Sequence, residues 1–379
     1  MSPLRRAGPF LTASAVALFA APARAQPADV SVELYTMGPG RDVFSRFGHA
    51  ALCVRDRESP DGRCYNYGTT DFSTPVPLTW NVLRGRARFW VSVSPLDRMI
   101  DWYGPRGEDR TLWRQSIALS PEAAEALEER LRDDLRPGSR EYVYHHFLDN
   151  CTTRLRDHLD AVTHGSLRRG TDRQPHGATW RTLVLQGLSG SAGLLVAGEL
   201  LLGRPLDEEP SRWQAMFLPA VLRSEVARAL GATPVMIHER PDAPPSGSPF
   251  AGRILIAAAA LTLAMLSVPR VSRRFARVVG AVIAGLAAVL VWTLSLASSL
   301  PELSQNHLLA VLLPTDLALP FLSDARRVLY ARVRLVMALA ASAASALGLT
   351  PQPLVAPALF VAALMAPSAL GLAAAKPAS

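Results

Sequence analysis

The sequence contains few cysteines and lacks a recognisable metal-binding pattern. Its 379 residues include three cysteines, Cys53, Cys64 and Cys151. The pattern H-H-x4-C-x6-H around the last of them, formed with His145, His146 and His158, fits none of the common zinc sites. We therefore expect neither a metal nor a cofactor.

The middle of the chain also lacks an excess of positive charge. The formal net charge is +8, but residues 26–250 contain 27 Arg against 29 Asp and Glu, a balance of −2. Residues 1–25 contribute +3 and residues 251–379 contribute +7. Because these basic residues flank hydrophobic segments, the positive-inside rule accounts for them, and we expect no nucleic-acid partner.

The N-terminus has the pattern of a secretory signal peptide over residues 1–25. Arg5 and Arg6 precede an apolar run from Leu11 to Ala20, and Ala23-Arg24-Ala25 is typical of a cleavage site. The rest of the chain is therefore expected to begin outside the cytoplasm, in an oxidising compartment.

The C-terminal third is hydrophobic and predicts a membrane domain over residues 251–379. Five apolar segments follow a Pro- and Ser-rich linker at 239–250; they cover residues 254–268, 278–300, 308–322, 328–347 and 354–372. Arginines cluster in the first and third connections, which places those connections in the cytoplasm and residues 26–238 in the periplasm. Five transmembrane helices in the inner membrane are the expectation.

Residues 26–238 predict an α+β domain. Alternating runs at 30–35 and 50–54 indicate strands, and residues 121–135 have helical spacing after an N-cap at Ser120. The segments 180–202 and 213–230 are apolar but interrupted by polar residues, which favours buried or membrane-surface helices.

An odd number of cysteines in an exported chain predicts one disulfide and one free thiol. Cys53 ends one strand and Cys64 begins the next, so a bridge across the pair is geometrically natural. Cys151 is then free, either as a nucleophile or as an inert buried thiol.

The residues around Cys151 favour the nucleophile. An aromatic strand leads into a helix that Asp149 or Asn150 would cap, which puts Cys151 and Thr152 in the first helical turn. The N–H groups there are expected to lower the thiol pKa and to bind an oxyanion, with Asn150 and Thr152 as the residues that support the oxyanion site.

His49 is the expected general base. Pairing Cys53 with Cys64 would put His49 and Asn66 on one face of adjacent strands, where the Asn66 amide would orient the imidazole. Plain strand polarity is the alternative for Asn66. His145 and His146 are the rival bases, and His158 is expected at the surface.

Two further charged residues have competing interpretations. Arg154, one turn after Cys151, is a support for an anionic group or a solvated charge paired with Asp157 or Asp160. Asp316 lies inside the third apolar segment, either in a polar pathway or at a proline-induced helix break.

Five motifs occur in order along the chain: Ser45-Arg46-Phe47-Gly48-His49-Ala50, residues 65–72, residues 91–95, residues 147–157 around Cys151, and Trp213-Gln214-Ala215-Met216-Phe217-Leu218-Pro219. Together they resemble the Lnb-type N-terminal periplasmic domain, named for lipoprotein N-acyltransferases. The family is similar to permuted NlpC/P60 and lecithin:retinol acyltransferase-like cysteine enzymes, in which the histidine strand precedes the nucleophile.

The resemblance implies a permuted papain-like fold and an acyl transfer. The cysteine would take an acyl chain from a phospholipid as a thioester and pass it to the N-terminus of a lipoprotein. A membrane-anchored cysteine hydrolase, acting as an amidase, peptidase or phospholipase, is the alternative. A non-catalytic domain that binds lipidated N-termini is the third possibility.

Overall fold

A computed structural model describes residues 30–57, 59–242 and 247–372. The signal peptide predicted at residues 1–25 lies outside these residues, as does the middle of the predicted linker. The strands are β1 (Ser31–Met37), β2 (His49–Arg55), β3 (Arg63–Thr69), β4 (Arg88–Pro95), β5 (Leu112–Ile117), β6 (Glu141–Val143) and β7 (Val235–His238).

The helices before the linker are α1 (Pro75–Leu83), α2 (Leu96–Tyr103), α3 (Pro121–Asp133), α4 (Cys151–Val162), α5 (Ser166–Arg169), α6 (Trp180–Leu188), α7 (Ala192–Leu201), α8 (Arg212–Ala215) and α9 (Pro219–Leu230). Those after it are α10 (Ala251–Ser267), α11 (Arg270–Ala297), α12 (Pro301–Ser304), α13 (Asp324–Ala346) and α14 (Val355–Ala369). The predicted α+β class is confirmed.

Within the described residues, the seven strands form one antiparallel sheet in the order β6-β4-β3-β2-β1-β5-β7. The strands predicted at 30–35 and 50–54 are the central pair, β1 and β2. Their apolar side chains alternate between two cores because successive residues of a strand point to opposite faces. One face packs against α3, α4 and α9, and the other against α2.

The helix predicted at 121–135 is α3. The Ser120 hydroxyl caps it by accepting a hydrogen bond from the N–H of Ala123 at 3.2 Å. Leu127 and Leu131 project from the inner face of α3 into the larger core and are completely buried. Helical periodicity and the cap therefore identified this element correctly.

The prediction of five transmembrane helices is not confirmed. Among the described residues, two helices are long and apolar enough to cross a membrane, α11 and α13. The helices α10 and α14 are apolar but shorter. The third predicted segment, 308–322, forms two stretches of 3-10 helix, His307–Ala310 and Pro314–Phe321, because two prolines interrupt it.

That irregular segment nevertheless runs along α11. The Trp292 indole N–H donates to the Leu312 carbonyl at 2.9 Å, and Leu317 of the second 3-10 stretch packs against Gly285 of α11. Its Asp316 is completely buried and is bound by Arg334 and Tyr330 of α13. Surrounding protein therefore supplies the partners that this non-helical backbone and its buried carboxylate need.

The two parts of the chain are joined by specific contacts as well as by the linker. The Ser298 and Ser299 hydroxyls, at the end of α11, donate to the carbonyls of Leu83 and Arg84 at the end of α1. On the other side, Arg253 of α10 pairs with the buried Glu199 of α7 at 2.8 Å. The apolar helix α7 therefore packs with the hydrophobic helices after the linker, although it precedes the linker in sequence.

Candidate active site

The predicted disulfide joins Cys53 to Cys64, and Cys151 is a free cysteine of intermediate exposure as a residue. Both half-cystines are buried, directly opposite each other in the β2–β3 register. That register is the one expected from the sequence, and it places His49 and Asn66 at neighbouring positions near one end of the strand pair.

Cys151 is the first residue of α4, and Asn150 is its N-cap. The Asn150 Oδ1 accepts from the N–H groups of Thr152 and Thr153 at 2.8 and 2.9 Å, while Thr153 Oγ1 accepts from the Asn150 N–H. The Asn150 amide donates to the carbonyls of His146 and Phe217. Of the two cap residues predicted from the sequence, Asn150 forms the cap. Its oxygen binds the first turn of α4, and its amide nitrogen binds the preceding turn and the Phe217 segment.

The Asn150 cap limits what the helix start offers to an oxyanion. The N–H of Thr152 already donates to the Asn150 side chain, so an approaching anion would have to compete with the cap for this hydrogen bond. Thr152 is completely buried and its hydroxyl lies 3.6 Å from the Cys151 sulfur. The oxyanion role proposed for Asn150 and Thr152 stays a prediction; their structural role is to hold the cysteine in place.

Burial raises the pKa of the Cys151 thiol above its ordinary value. The Thr152 hydroxyl, the N–H groups of Ala50 and Thr152, and the charge of Arg110 act in the opposite direction but are outweighed. The sequence-based expectation of a lowered thiol pKa is therefore wrong for the free protein. A buried thiolate loses more hydration than these donors replace.

His49 is the first residue of β2, directly before the Ala50 whose N–H faces the thiol. Burial, together with the nearby Arg110, lowers the pKa of its imidazole to about 3, so it is neutral at physiological pH. Its ring packs against Tyr103 at a centroid distance of 5.3 Å, and its Nε2 has no partner among the described residues. A neutral imidazole with a free nitrogen has the chemistry of a general base.

Asn66 lies beside His49 and acts against the lowering of its pKa. The Asn66 amide nitrogen donates to the Cys64 carbonyl at 3.2 Å and to Ser94 Oγ at 3.3 Å. Its Oδ1 completes no hydrogen bond with any described residue. The amide group is thus anchored by its nitrogen, with its oxygen left for the imidazole.

Two glycines allow the histidine strand and the cysteine helix to approach each other. Gly68 has φ +89° and faces Cys151, whose Cβ would lie 3.5 Å from a side chain added there. Gly48, at φ +88°, precedes His49 and has no room for a Cβ, which would lie 2.8 Å from the Met37 carbonyl oxygen. Both positions are therefore closed to other residues.

The rival histidines have other partners. His145 Nδ1 accepts from the N–H groups of Phe147 and Leu148, and its Nε2 lies 3.6 Å from Glu302 of α12. His146 Nδ1 bonds the Tyr144 hydroxyl at 3.1 Å, and its ring packs among Phe47, Phe147 and Phe217. Both belong to the turn before α4 rather than to a strand.

Two expectations about polar side chains of α4 are wrong. Arg154 pairs with neither Asp157 nor Asp160, but with Asp149 through two hydrogen bonds of 2.6 and 2.9 Å, and its guanidinium stacks 3.9 Å from the Tyr142 ring centroid. His158 is not a surface residue; its Nε2 lies 3.0 Å from both Asp134 and the Tyr67 hydroxyl. Helical spacing cannot reveal partners that tertiary packing supplies.

A cavity of about 870 Å³ opens beside His49. Its polar wall includes Asn66, Ser92, Ser94 and Arg110, and its outer rim includes the exposed side chains of Phe72 and Trp102. Gly68, which faces Cys151, lines the same cavity. Among the described residues, no group of three or more His, Cys, Asp or Glu is arranged to hold a metal.

These features define a mixed α+β domain with a free thiol at a capped helix start and a neutral imidazole on the neighbouring strand. Residues 20–186 match the family model of the Lnb N-terminal periplasmic domain, the family that the motifs resemble. Neither the curated proteins nor the solved structures include a match to the chain. The family and the two candidate spans describe a membrane protein with a periplasmic domain.

The family match ends before the fifth motif, yet that motif contacts the site. The Phe217 carbonyl accepts from Asn150, and Pro219 lies against Gly48, so residues 213–219 brace both the cysteine helix and the histidine strand.

Sequence reasoning missed Arg110 and Tyr103. The charge of Arg110 interacts with Cys151 and lowers the pKa of His49. Tyr103 packs its ring against His49, and its own pKa responds to Cys151. Arg110 occurs in an ordinary polar stretch, and nothing in its neighbours distinguishes it from the other arginines of the chain.

Proposed function

We propose that this protein is a membrane-embedded cysteine acyltransferase of the bacterial inner membrane. It would move an acyl chain from a phospholipid, through a thioester at Cys151, to the N-terminal amine of a lipoprotein. The observation that carries the proposal is the free thiol at the start of α4, set beside a neutral imidazole and a cavity with an apolar rim. In this proposal the domain is a permuted papain-like unit, because the histidine strand precedes the nucleophile helix.

The position of the cavity supports a lipid donor. Helix α1, which contributes Pro75 and Thr79 to the cavity, is bonded at its end to the end of α11, the longest candidate span. Val76 and Trp80 of α1 are exposed, as is Phe72 just before it. An apolar rim at the end of a spanning helix is where an acyl chain would enter from the bilayer.

Each half of the reaction uses the same two groups. His49 takes the thiol proton as the Cys151 sulfur attacks the ester carbonyl; the S–C bond forms, the ester C–O bond breaks, and the lysolipid oxygen receives the proton. The amine nitrogen then attacks the thioester, the N–C bond forms, the C–S bond breaks, and His49 transfers the released proton to the sulfur.

A thiol with a raised pKa keeps its proton until the substrate binds, which suits a mechanism in which His49 removes that proton as the sulfur attacks. With the thiol and the imidazole both neutral in the free protein, no ion pair has to be dismantled before a neutral ester binds. A positioned base contributes about 10²–10⁴-fold in rate in such a mechanism.

The test uses the whole protein in phospholipid vesicles. Incubation should acylate Cys151, the adduct should be released by hydroxylamine, and it should be absent from Cys151→Ala. A Cys53→Ala/Cys64→Ala double variant is the matched control, because it keeps Cys151 while removing the other two cysteines. Failure of every lipid donor to acylate Cys151 would refute the proposal.

Adding a diacylated lipoprotein distinguishes transfer from hydrolysis. If the adduct discharges to an N-acylated lipoprotein, the acyltransferase is established. If only free fatty acid appears, with or without acceptor, the protein is a hydrolase.

A further inference from the structure

Arg110 stands apart from the other large, fully buried arginines of the described chain. Arg181 and Arg334 each bind both oxygens of a carboxylate, that of the half-buried Asp207 and that of the fully buried Asp316 respectively. Arg110 is equally buried, at 2% exposure, but has one 3.2 Å contact with Glu108, whose side chain is 38% exposed. Its charge is therefore only partly compensated.

Of the other two nitrogens of the Arg110 guanidinium, Nε has a hydrogen-bond partner and Nη2 has none. Nε donates to the Gly38 carbonyl at 2.7 Å, which anchors the guanidinium, and the group also lies 5.3 Å from the Tyr103 ring centroid. Nη2 is buried and has no hydrogen-bond partner among the described residues, which is also true of Arg181 Nη1. Arg181 is neutralised by both oxygens of Asp207, whereas Arg110 combines the unpaired N–H with a charge that is only partly compensated. Leaving an N–H of such a buried cation unpaired is costly, so a ligand that accepts from Nη2 would complete the site.

The unpaired group belongs to a cluster. His49 Nε2 and Asn66 Oδ1, like Arg110 Nη2, are buried without partners, and all three residues line the same cavity. Arg110 and Cys151 are close enough for each charge to act on the other. These three residues therefore border one cavity, which Gly68, facing Cys151, also lines.

We infer that Arg110 is the anion-binding residue of this cavity, and that its Nη2 donates to an anionic oxygen of the ligand that reacts at Cys151. Two oxygens have this chemistry: the headgroup phosphate of a lipid, and the carbonyl oxygen that becomes an oxyanion when the thiol attacks. A planar guanidinium suits either one because its N–H groups are rigidly directed. Identifying the ligand as an acyl donor rests on the proposed function; the existence of the anion site does not.

The first experiment measures the site without any acyl transfer. Iodoacetate and iodoacetamide alkylate the same thiol and differ by one negative charge, so the ratio of their rates at Cys151 cancels changes in thiol reactivity. We expect Arg110→Gln to lower the iodoacetate-to-iodoacetamide ratio by roughly tenfold, the order of a charge-assisted hydrogen bond. An unchanged ratio in folded Arg110→Gln would overturn the inference.

Arg106→Gln is the matched control. Arg106 is in the same loop and carries the same charge, but it is exposed and pairs with Asp101. Its removal should leave the ratio within about twofold, since exposed charges are screened by salt. An equal drop in both variants would mean that general surface charge, not Arg110, attracts the anion.

A second measurement uses the unaltered protein and so does not depend on folding of a variant. Inorganic phosphate should slow alkylation of Cys151 by iodoacetate more than chloride does at equal ionic strength. Equal effects of the two salts would contradict an anion site at Arg110.

The source of the oxygen is decided by the donor. If Arg110→Gln slows acylation of Cys151 by a phospholipid but not by a diacylglycerol, Arg110 binds the headgroup phosphate. If it slows both equally, Arg110 binds the oxyanion. If neither lipid acylates the unaltered protein, the proposed function fails, and the alkylation ratio still decides the anion site.

Discussion

Two buried arginines, one in each part of the molecule, show how the protein uses buried charge. Arg334 lies among the hydrophobic helices, where Asp316 accepts from its Nε and Nη2 at 2.9 and 2.8 Å and the Val311 carbonyl accepts from Nη2. Arg110 lines the cavity beside His49, with Nη2 unpaired. Both are 2% exposed. A saturated buried charge holds elements together, whereas an unsaturated one leaves a place for a ligand.

Surroundings separate the two histidines. The Nε2 atoms of His146 and His49 are both unpaired, but His146 is hydrogen-bonded through Nδ1 and enclosed by aromatic rings, whereas His49 lines the cavity. Both imidazoles are neutral at pH 7, since burial lowers their pKa values to about 4 and about 3. Protonation state therefore does not distinguish the base; position does.

The largest expected effect compares these two histidines. His49→Gln should slow acylation of Cys151 by about 10²–10⁴-fold, the contribution of a positioned base. His146→Gln should change the rate far less, because its imidazole faces the aromatic cluster. Single-turnover acylation of both variants measures the difference, and a larger loss in His146→Gln would move the base role to that residue.

The pH dependence of stability is the control for those variants. Each folded-state pKa lies below the ordinary value of 6.5, so the unfolded chain binds more protons as the pH falls from 6.5 toward 4 and 3. The stabilisation by each neutral histidine is present above pH 6.5 and lost as the pH falls. Both glutamine variants should weaken this dependence in denaturant titrations; a variant that left it unchanged would show that its histidine is not buried neutral.

The next effect compares the arginines. Arg334→Met should destabilise the protein by about 3–5 kcal/mol, because it leaves Asp316 buried without its partner. Arg110→Met should cost about 1 kcal/mol, because it loses chiefly the hydrogen bond to Gly38 while Glu108 remains in contact with solvent. Thermal unfolding in detergent measures both, and equal losses would remove the distinction between a paired and an unpaired charge.

The smallest effect compares two helix caps. Asn150→Ala should destabilise by about 2 kcal/mol and slow acylation, because Asn150 both caps α4 and bonds the Phe217 carbonyl. Ser120→Ala removes a cap from an exposed helix start and should cost about 1 kcal/mol without affecting acylation. If Ser120→Ala slowed acylation as much, the effect would come from general instability rather than from the position of Cys151.

Local patterns in the sequence determined much of the periplasmic part. Alternation gave β1 and β2, helical spacing and Ser120 gave α3, and cysteine parity with strand pairing gave the Cys53–Cys64 bridge and the free Cys151. Asn150 at the start of α4 followed from the preference of its side chain for helix N-termini. These features depend on residues near one another in sequence.

Features that depend on distant residues were decided by the tertiary structure. Burial raised the pKa of Cys151, although its position at a helix start favours a lower value. Asp149, rather than Asp157 or Asp160, became the partner of Arg154. Hydropathy detected segment 308–322 but could not show its 3-10 conformation. Two prolines break the regular helix there, and only packing against neighbouring helices makes the irregular backbone stable. Arg110 acquired its role only through folding, because the hydration and pairing of a charge are set by everything packed around it.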